Sequence, residues 1–208
     1  MGPAAADAPT ERSEPPVQLV GSRLARALLR LAGWRLQFDG LPSRQGVLVV
    51  YPHTSNWDFP VGVLAKWGIG LPLVFWGKDT LFRVPLFGAW LRWIGGVPVN
   101  RRSPGGAVAD MVRRLREARQ RGDFLWLALA PEGTRARGPG WRSGFHRVAT
   151  EAAVPVALAY LDFGRRRVGV HSCLQLSGDA AADMAEIARR YDGVQGYRPA
   201  GAAPIVLP

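Results

Sequence analysis

The chain has one cysteine, Cys173, and three histidines, His53, His146 and His171, in 208 residues. One thiol excludes an intramolecular disulfide, and the scattered histidines form no metal-ligand motif. No apolar run reaches about 18 residues without a charge, so no transmembrane helix is expected. The serine-nucleophile pattern G-x-S-x-G is missing too. The opening residues, MGPAAADAPTERSEPP, are rich in Pro and Ala and carry acids, with no apolar core behind a basic start. No signal peptide is therefore expected, residues 1–16 are expected to be a disordered tail, and a cytoplasmic location fits.

Positive charge is abundant. There are 27 Lys and Arg against 16 Asp and Glu, for a net charge of +11. Such an excess suits an anionic partner: nucleic acid, anionic lipid or a phosphorylated substrate. The bland alternative is a surface solvated by arginine. The composition is 48% apolar, which fits a globular chain with one sizeable core. The expected layout is a single domain over 17–200 followed by a C-terminal tail over 201–208.

Hydrophobic periodicity predicts a helix over 17–33. Val20, Leu24, Ala27, Leu28 and Leu31 share one face, and Arg23, Arg26 and Arg30 share another. Two readings are open for it, a helix covering the core or one lying in a membrane interface. Short apolar runs predict strands at 35–38, 47–51, 73–76, 97–99, 124–130, 154–161 and 168–170. Helical patterns fall at 57–67, 105–121, 144–154 and 180–191, the last with Asp179 as N-cap. The segment TLFRVPLFGAWLRWIGGVPV at 80–99 is apolar and aromatic, suited to core, to a hydrophobic groove or to a membrane-facing patch. Strands alternating with helices predict an α/β fold: a mostly parallel central sheet flanked by helices, with an N-terminal amphipathic helix.

The stretch GVLVVYPHTSNWDFPVG at 46–62 organises the functional reading. Five positions on a continuous helix rotate by about 140°, so His53 and Asp58 meet only if the chain turns between them. A strand ending at His53 and a helix starting near Asp58, with Ser55 or Asn56 as N-cap, brings them together. The carboxylate then accepts the Nδ1 proton and leaves Nε2 as a base. Lys78, Arg101 and PEGTR at 131–135 also follow apolar strands, and in open α/β sheets ligand sites form beyond the carboxyl ends of strands.

His53-Thr-Ser-Asn-Trp-Asp58, GGVPVNR at 95–101, PEGTR at 131–135 and VPV at 154–156 together resemble the glycerolipid acyltransferases, typified by 1-acylglycerol-3-phosphate acyltransferase. The resemblance covers roughly residues 20–190. It implies that His53 is the general base that deprotonates an acceptor hydroxyl for attack on an acyl thioester, with Asp58 orienting the imidazole. It implies an acceptor-binding set of Arg101, Glu132, Gly133, Thr134 and Arg135, joined by Asn56 and Lys78. Arginine can clamp a phosphate bidentately, and Gly133 would allow close backbone approach to a ligand. Glu132 is expected to hold an arginine or receive a glycerol hydroxyl.

No cofactor is implied beyond a co-substrate, acyl-CoA or acyl-carrier protein. The implied partners are a lysophospholipid, the acyl thioester and, peripherally, the cytoplasmic face of an anionic membrane. Asn100 stands where an acid is common in this family, which bears on the acceptor. Alternatives are a non-catalytic lipid-binding or scaffold protein on the same fold, and an acyltransferase for another acceptor such as an amino-acid lipid. A nucleic-acid partner is not expected, because no nucleic-acid module accompanies the charge.

Overall fold

The computed structural model describes residues 16–99 and 104–208. Residues 1–15 of the expected tail at 1–16, and the stretch 100–103 with Arg101, lie outside the described residues. The elements run α1 (Arg23–Leu31), β1 (Arg35–Gln37), β2 (Gln45–Tyr51), α2 (Asp58–Ile69), β3 (Val74–Lys78), α3 (Phe87–Trp93) and β4 (Gly96–Val99). They continue α4 (Pro104–Arg121), β5 (Leu125–Leu129), α5 (Gly144–Ala152), β6 (Val156–Asp162), β7 (Arg167–Leu174) and α6 (Ala180–Arg190).

One seven-stranded sheet has the order β1-β7-β6-β2-β5-β3-β4. Strands β2 to β6 run parallel, as the alternating pattern predicts. The connection from β6 to β7 is only residues 163–166, too short for a crossover, so β7 returns antiparallel and β1 pairs parallel to β7.

The central strand β2 is buried on both faces, which explains its unbroken apolar run. Val47 and Val49 pack with Val108, Met111 and Leu115 of α4 and Phe145 and Val148 of α5. Leu48 faces the other way, against Trp126 and Ile69. On that second side α1, α2 and α3 lie in a row, with Leu29 against Val61 and Ala65 and Leu91 sharing a cluster with Phe59 and Trp67. Gly46 is required by packing, since a Cβ there would lie 2.4 Å from the Trp126 ring.

The N-terminal helix is shorter than the predicted 17–33. Val17 exchanges two backbone hydrogen bonds with Leu41, and Gly21 sits so tightly on α2 that a Cβ would lie 1.9 Å from the Gly68 carbonyl oxygen. The helix starts only after Ser22, whose hydroxyl accepts the Ala25 N–H at 3.2 Å. Only Ala25 and Leu29 are buried on it; Val20, Leu24, Leu28 and Leu31, the predicted apolar face, are exposed.

Neither Ser55 nor Asn56 caps α2 as expected. Trp57 occupies the N-cap position, and the Ser55 hydroxyl instead accepts the Trp57 N–H at 3.2 Å in the turn before it. Residues 201–208, expected as a tail, fold onto the domain: Ala203 is buried, and Ile205 and Leu207 pack against the main core.

Asp179 caps α6 as predicted, accepting from the Ala181 and Ala182 N–H groups. The α5–α6 contact holds a buried pair, His146 Nε2 to Asp183 Oδ2 at 2.8 Å. Burial pushes the Asp183 carboxyl up, but hydrogen bonds from Ser177 N–H and Oγ, His146 and the Gly178 N–H outweigh it, and its pKa is lowered. A carboxyl depressed on folding stabilises above its unfolded pKa of about 3.9, and that contribution is lost as pH falls through the folded value. The Tm gap between the wild type and Asp183→Asn is thus expected to be widest near neutrality and to close in acid. Thermal melts across the acid range check this.

Candidate active site

The carboxyl end of β2 passes through a cis Tyr51–Pro52 bond into the turn that carries His53. Asp58, in the first turn of α2, comes back under the imidazole, with His53 Nδ1 lying 3.1 Å from Asp58 Oδ2. The imidazole is 21% exposed and the carboxylate 2%, so the ring reaches solvent while its partner is sealed beneath it. A proton on Nδ1 donated to Asp58 leaves the Nε2 lone pair for an incoming proton. The same Oδ2 accepts the Ser55 N–H at 2.8 Å, and the helix N-terminus favours its negative charge.

Glu132, beyond the end of β5, is buried and staples this turn from below. Its Oε1 accepts the His53 N–H at 2.5 Å and its Oε2 accepts the Ala203 N–H at 2.8 Å. Where an arginine or a glycerol hydroxyl was expected, the described partners of Glu132 are two backbone amides, and it fixes the backbone that carries His53. Burial raises its pKa above the usual carboxylate value; the Ala203 and His53 N–H donors pull it down, but less strongly.

Arg135 Nε donates to the Ser55 carbonyl at 3.2 Å, so PEGTR and the His53 turn are tied at a second point, with the arginine side chain exposed at the rim. Gly133 has φ +69°, and a Cβ there would lie 2.5 Å from Arg142 Nε. Its glycine makes room for the Arg142 side chain, where close approach of a ligand was expected. Thr134 is exposed, and its hydroxyl accepts the Ala136 N–H at 3.3 Å. Asn56 is exposed on the turn itself.

Lys78 is exposed at the end of β3, in register with Val99 at the end of β4. That places it at the same carboxyl end of the sheet as His53; Arg101 lies outside the described residues. The structure thus joins His53, Asp58, Glu132 and Arg135 by direct contacts and sets Asn56 and Lys78 at the same end. Among the described residues no group of three or more His, Cys, Asp or Glu side chains is placed to hold a metal ion.

Three contributors escaped the sequence reading. The Thr54 hydroxyl, buried beside His53, accepts the Arg198 N–H at 3.1 Å. Tyr51 donates to the Ala203 carbonyl at 3.2 Å, and Ala203 meets Glu132. Thr54 and Tyr51 lie within the motif and are open to suspicion as support residues. Nothing in the sequence marks Ala203, whose part is played by its backbone.

Fold and site together define an α/β domain with a histidine paired to a buried carboxylate past the end of its central strand. A family model described as Acyltransferase matches residues 35–160, and the chain belongs to that family. It is 31% identical over 133 residues to the 1-acyl-sn-glycerol-3-phosphate acyltransferase of Borreliella burgdorferi, a match covering 62% of this chain and 49% of the relative. The chain thus aligns with about half the length of that curated relative. The crystal structure of the 1-acyl-sn-glycerophosphate acyltransferase of Thermotoga maritima has a similar fold, with a TM-score of 0.52 at 17% identity, covering 82% of this chain and 73% of that one.

Proposed function

We propose that this protein transfers a fatty acyl group from a thioester, acyl-CoA or acyl-carrier protein, to a hydroxyl of a lysophospholipid such as 1-acylglycerol-3-phosphate. The observation that carries the reading is the partly exposed His53 imidazole paired through Nδ1 with buried Asp58. The acceptor hydroxyl gives its proton to Nε2 as its oxygen bonds to the thioester carbon. The C–S bond then breaks, and the imidazolium, stabilised by Asp58, returns the proton to the departing thiolate. Cationic Lys78, Arg101 and Arg135 are suited to the acceptor phosphate.

The test is thioester consumption by the purified protein with a long-chain acyl-CoA or acyl-carrier protein and a panel of lysolipids, on anionic vesicles. Transfer to 1-acylglycerol-3-phosphate supports the reading. Transfer only to another acceptor moves the specificity elsewhere, and no transfer from either donor to any lysolipid overturns it.

The substrate would be met at a membrane surface. Among the described residues no helix is long and apolar enough to cross a membrane. The row α1–α2–α3 nevertheless turns apolar side chains outward: Leu24 and Leu31 on α1, Trp57 beside His53, and Leu86 and Trp93 around α3. Arg23 and Arg30 flank the α1 stripe, as in a helix that lies in an anionic interface. Burying one leucine is worth about 1.5–3 kcal/mol, or roughly tenfold or more in affinity. Leu24→Asp with Leu31→Asp is expected to weaken binding to anionic vesicles by at least about tenfold, while turnover of a soluble short-chain acceptor stays near wild type; co-sedimentation and the parallel assay check this.

A further inference from the structure

Beyond the match at 35–160, the chain returns to the site. After α6, residues 195–206 run across the back of the His53 turn. The Gln195 carbonyl accepts the Phe163 N–H at 2.8 Å, and the Val206 carbonyl accepts the Trp141 N–H at 2.7 Å, so the segment is anchored at both ends. Between these anchors it meets the turn repeatedly. A Cβ on Gly196 would lie 2.6 Å from the Thr54 hydroxyl, and one on Gly201 would lie 3.3 Å from the Arg135 carbonyl oxygen. The Arg198 N–H donates to Thr54, and the Ala203 N–H donates to Glu132.

We propose that residues 195–206 form a strap that positions the base. In it the Ala203 N–H, acting through Glu132, and the Arg198 N–H, acting through Thr54, hold the His53 backbone at the distance Asp58 requires. The placement of the contacts separates this from ordinary packing. Glu132 has one oxygen on Ala203 and the other on the His53 N–H, so any loss on the strap side reaches the catalytic residue in a single step. Thr54 is its covalent neighbour. Ile205 in the strap and Leu207 just beyond it pack against the apolar core and supply attachment without position.

The proposal rests on acyl transfer being the reaction of His53, and the test keeps the two apart. Ala203→Pro deletes the donor to Glu132. Ala202, with φ −68° and ψ 129°, already has the extended backbone that a following proline requires. Displacement of catalytic groups by about 1 Å can cost on the order of 10²-fold, so kcat is expected to fall by about that factor with KM nearly unchanged. Hydrogen exchange at the amides of 53–55 is expected to quicken. Ala203→Gly, which keeps the N–H, restores kcat.

Ile205→Ala, which loosens the strap on the core only, is expected to lower Tm while kcat below the melt stays at wild type. Should Ala203→Pro not fold, Thr54→Val, nearly isosteric but unable to accept from Arg198, carries the same kcat and exchange readouts. Wild-type kcat and exchange in Ala203→Pro or Thr54→Val would overturn the proposal. So would kcat losses that follow Tm alike in the proline and Ile205→Ala variants. Faster exchange in Ala203→Pro, in a protein whose wild type transfers acyl to no lysolipid, would support the strap and overturn the reaction.

Discussion

His53→Ala is expected to lose nearly all acyl transfer, a fall on the order of 10²–10⁴ in kcat, with Tm little changed. The ring is partly exposed and, among the described residues, its ion pair is to Asp58, so its removal leaves the core intact. The same deletion leaves the Asp58 carboxylate buried, but still bonded to the Ser55 N–H. Asp58→Asn is expected to approach the same loss by a different route. An amide opposite Nδ1 presents either an oxygen or an NH2 group, and the second reverses the imidazole tautomer and puts a proton on Nε2. Parallel kcat and Tm measurements on both variants distinguish lost chemistry from lost fold.

Glu132→Ala is expected to lose both activity and stability. The substitution strands the His53 and Ala203 N–H groups, and each buried donor left unpaired costs about 1–3 kcal/mol. The expected destabilisation is about 2–5 kcal/mol. A kcat loss of at least about 10²-fold should accompany it, because the backbone of the base is released. Glu132→Gln is not conservative here. Both carboxylate oxygens accept from backbone N–H groups, so the amide nitrogen must confront one of them. Its stability is expected to lie between wild type and Glu132→Ala, with activity close to the alanine variant. Denaturant melts and steady-state kinetics on the pair measure both effects. Activity near wild type in Glu132→Ala would remove the carboxylate from the positioning machinery.

Much of this architecture was legible because local pattern and tertiary outcome agree. Unbroken apolar runs such as Val47–Tyr51 are what a doubly covered strand requires, and the ends of those runs carry the site residues. Val108, Met111 and Leu115 repeat at helical spacing and are buried, while Arg113 on the outer face pairs with Asp110 and Glu117. The readings that changed were those decided by backbone contacts. The first turns of the predicted N-terminal helix yield to the pairing of Val17 with Leu41, which no periodicity encodes.

Periodicity also gave the apolar stripe of α1 without saying which way it turns. The helix buries the edge at Ala25 and Leu29 instead. At the site, the meeting of His53 and Asp58 follows from five-residue spacing plus a turn. The work of Glu132 does not, because its partners are backbone amides, one of them at Ala203. Gly133 is expected beside a ligand because glycine signals close approach; among the described residues a Cβ there would meet Arg142.

The bonds around the His53 turn also impose an order on biosynthesis. They span 79 residues to Glu132, 144 from Thr54 to Arg198, and 152 from Tyr51 to Ala203. At a ribosomal pace of about 5–20 residues per second, roughly eight to thirty seconds separate the emergence of His53 from that of Ala203. Early in that interval the His53 turn lacks these bonds, and β2, whose neighbours β5 and β6 come later, has no strand beside it. A nascent chain therefore presents its apolar helices well before the turn that carries His53 is tied in place. Completion of the site is one of the last events of assembly, and a chain interrupted before residue 203 leaves Glu132 without its Ala203 partner.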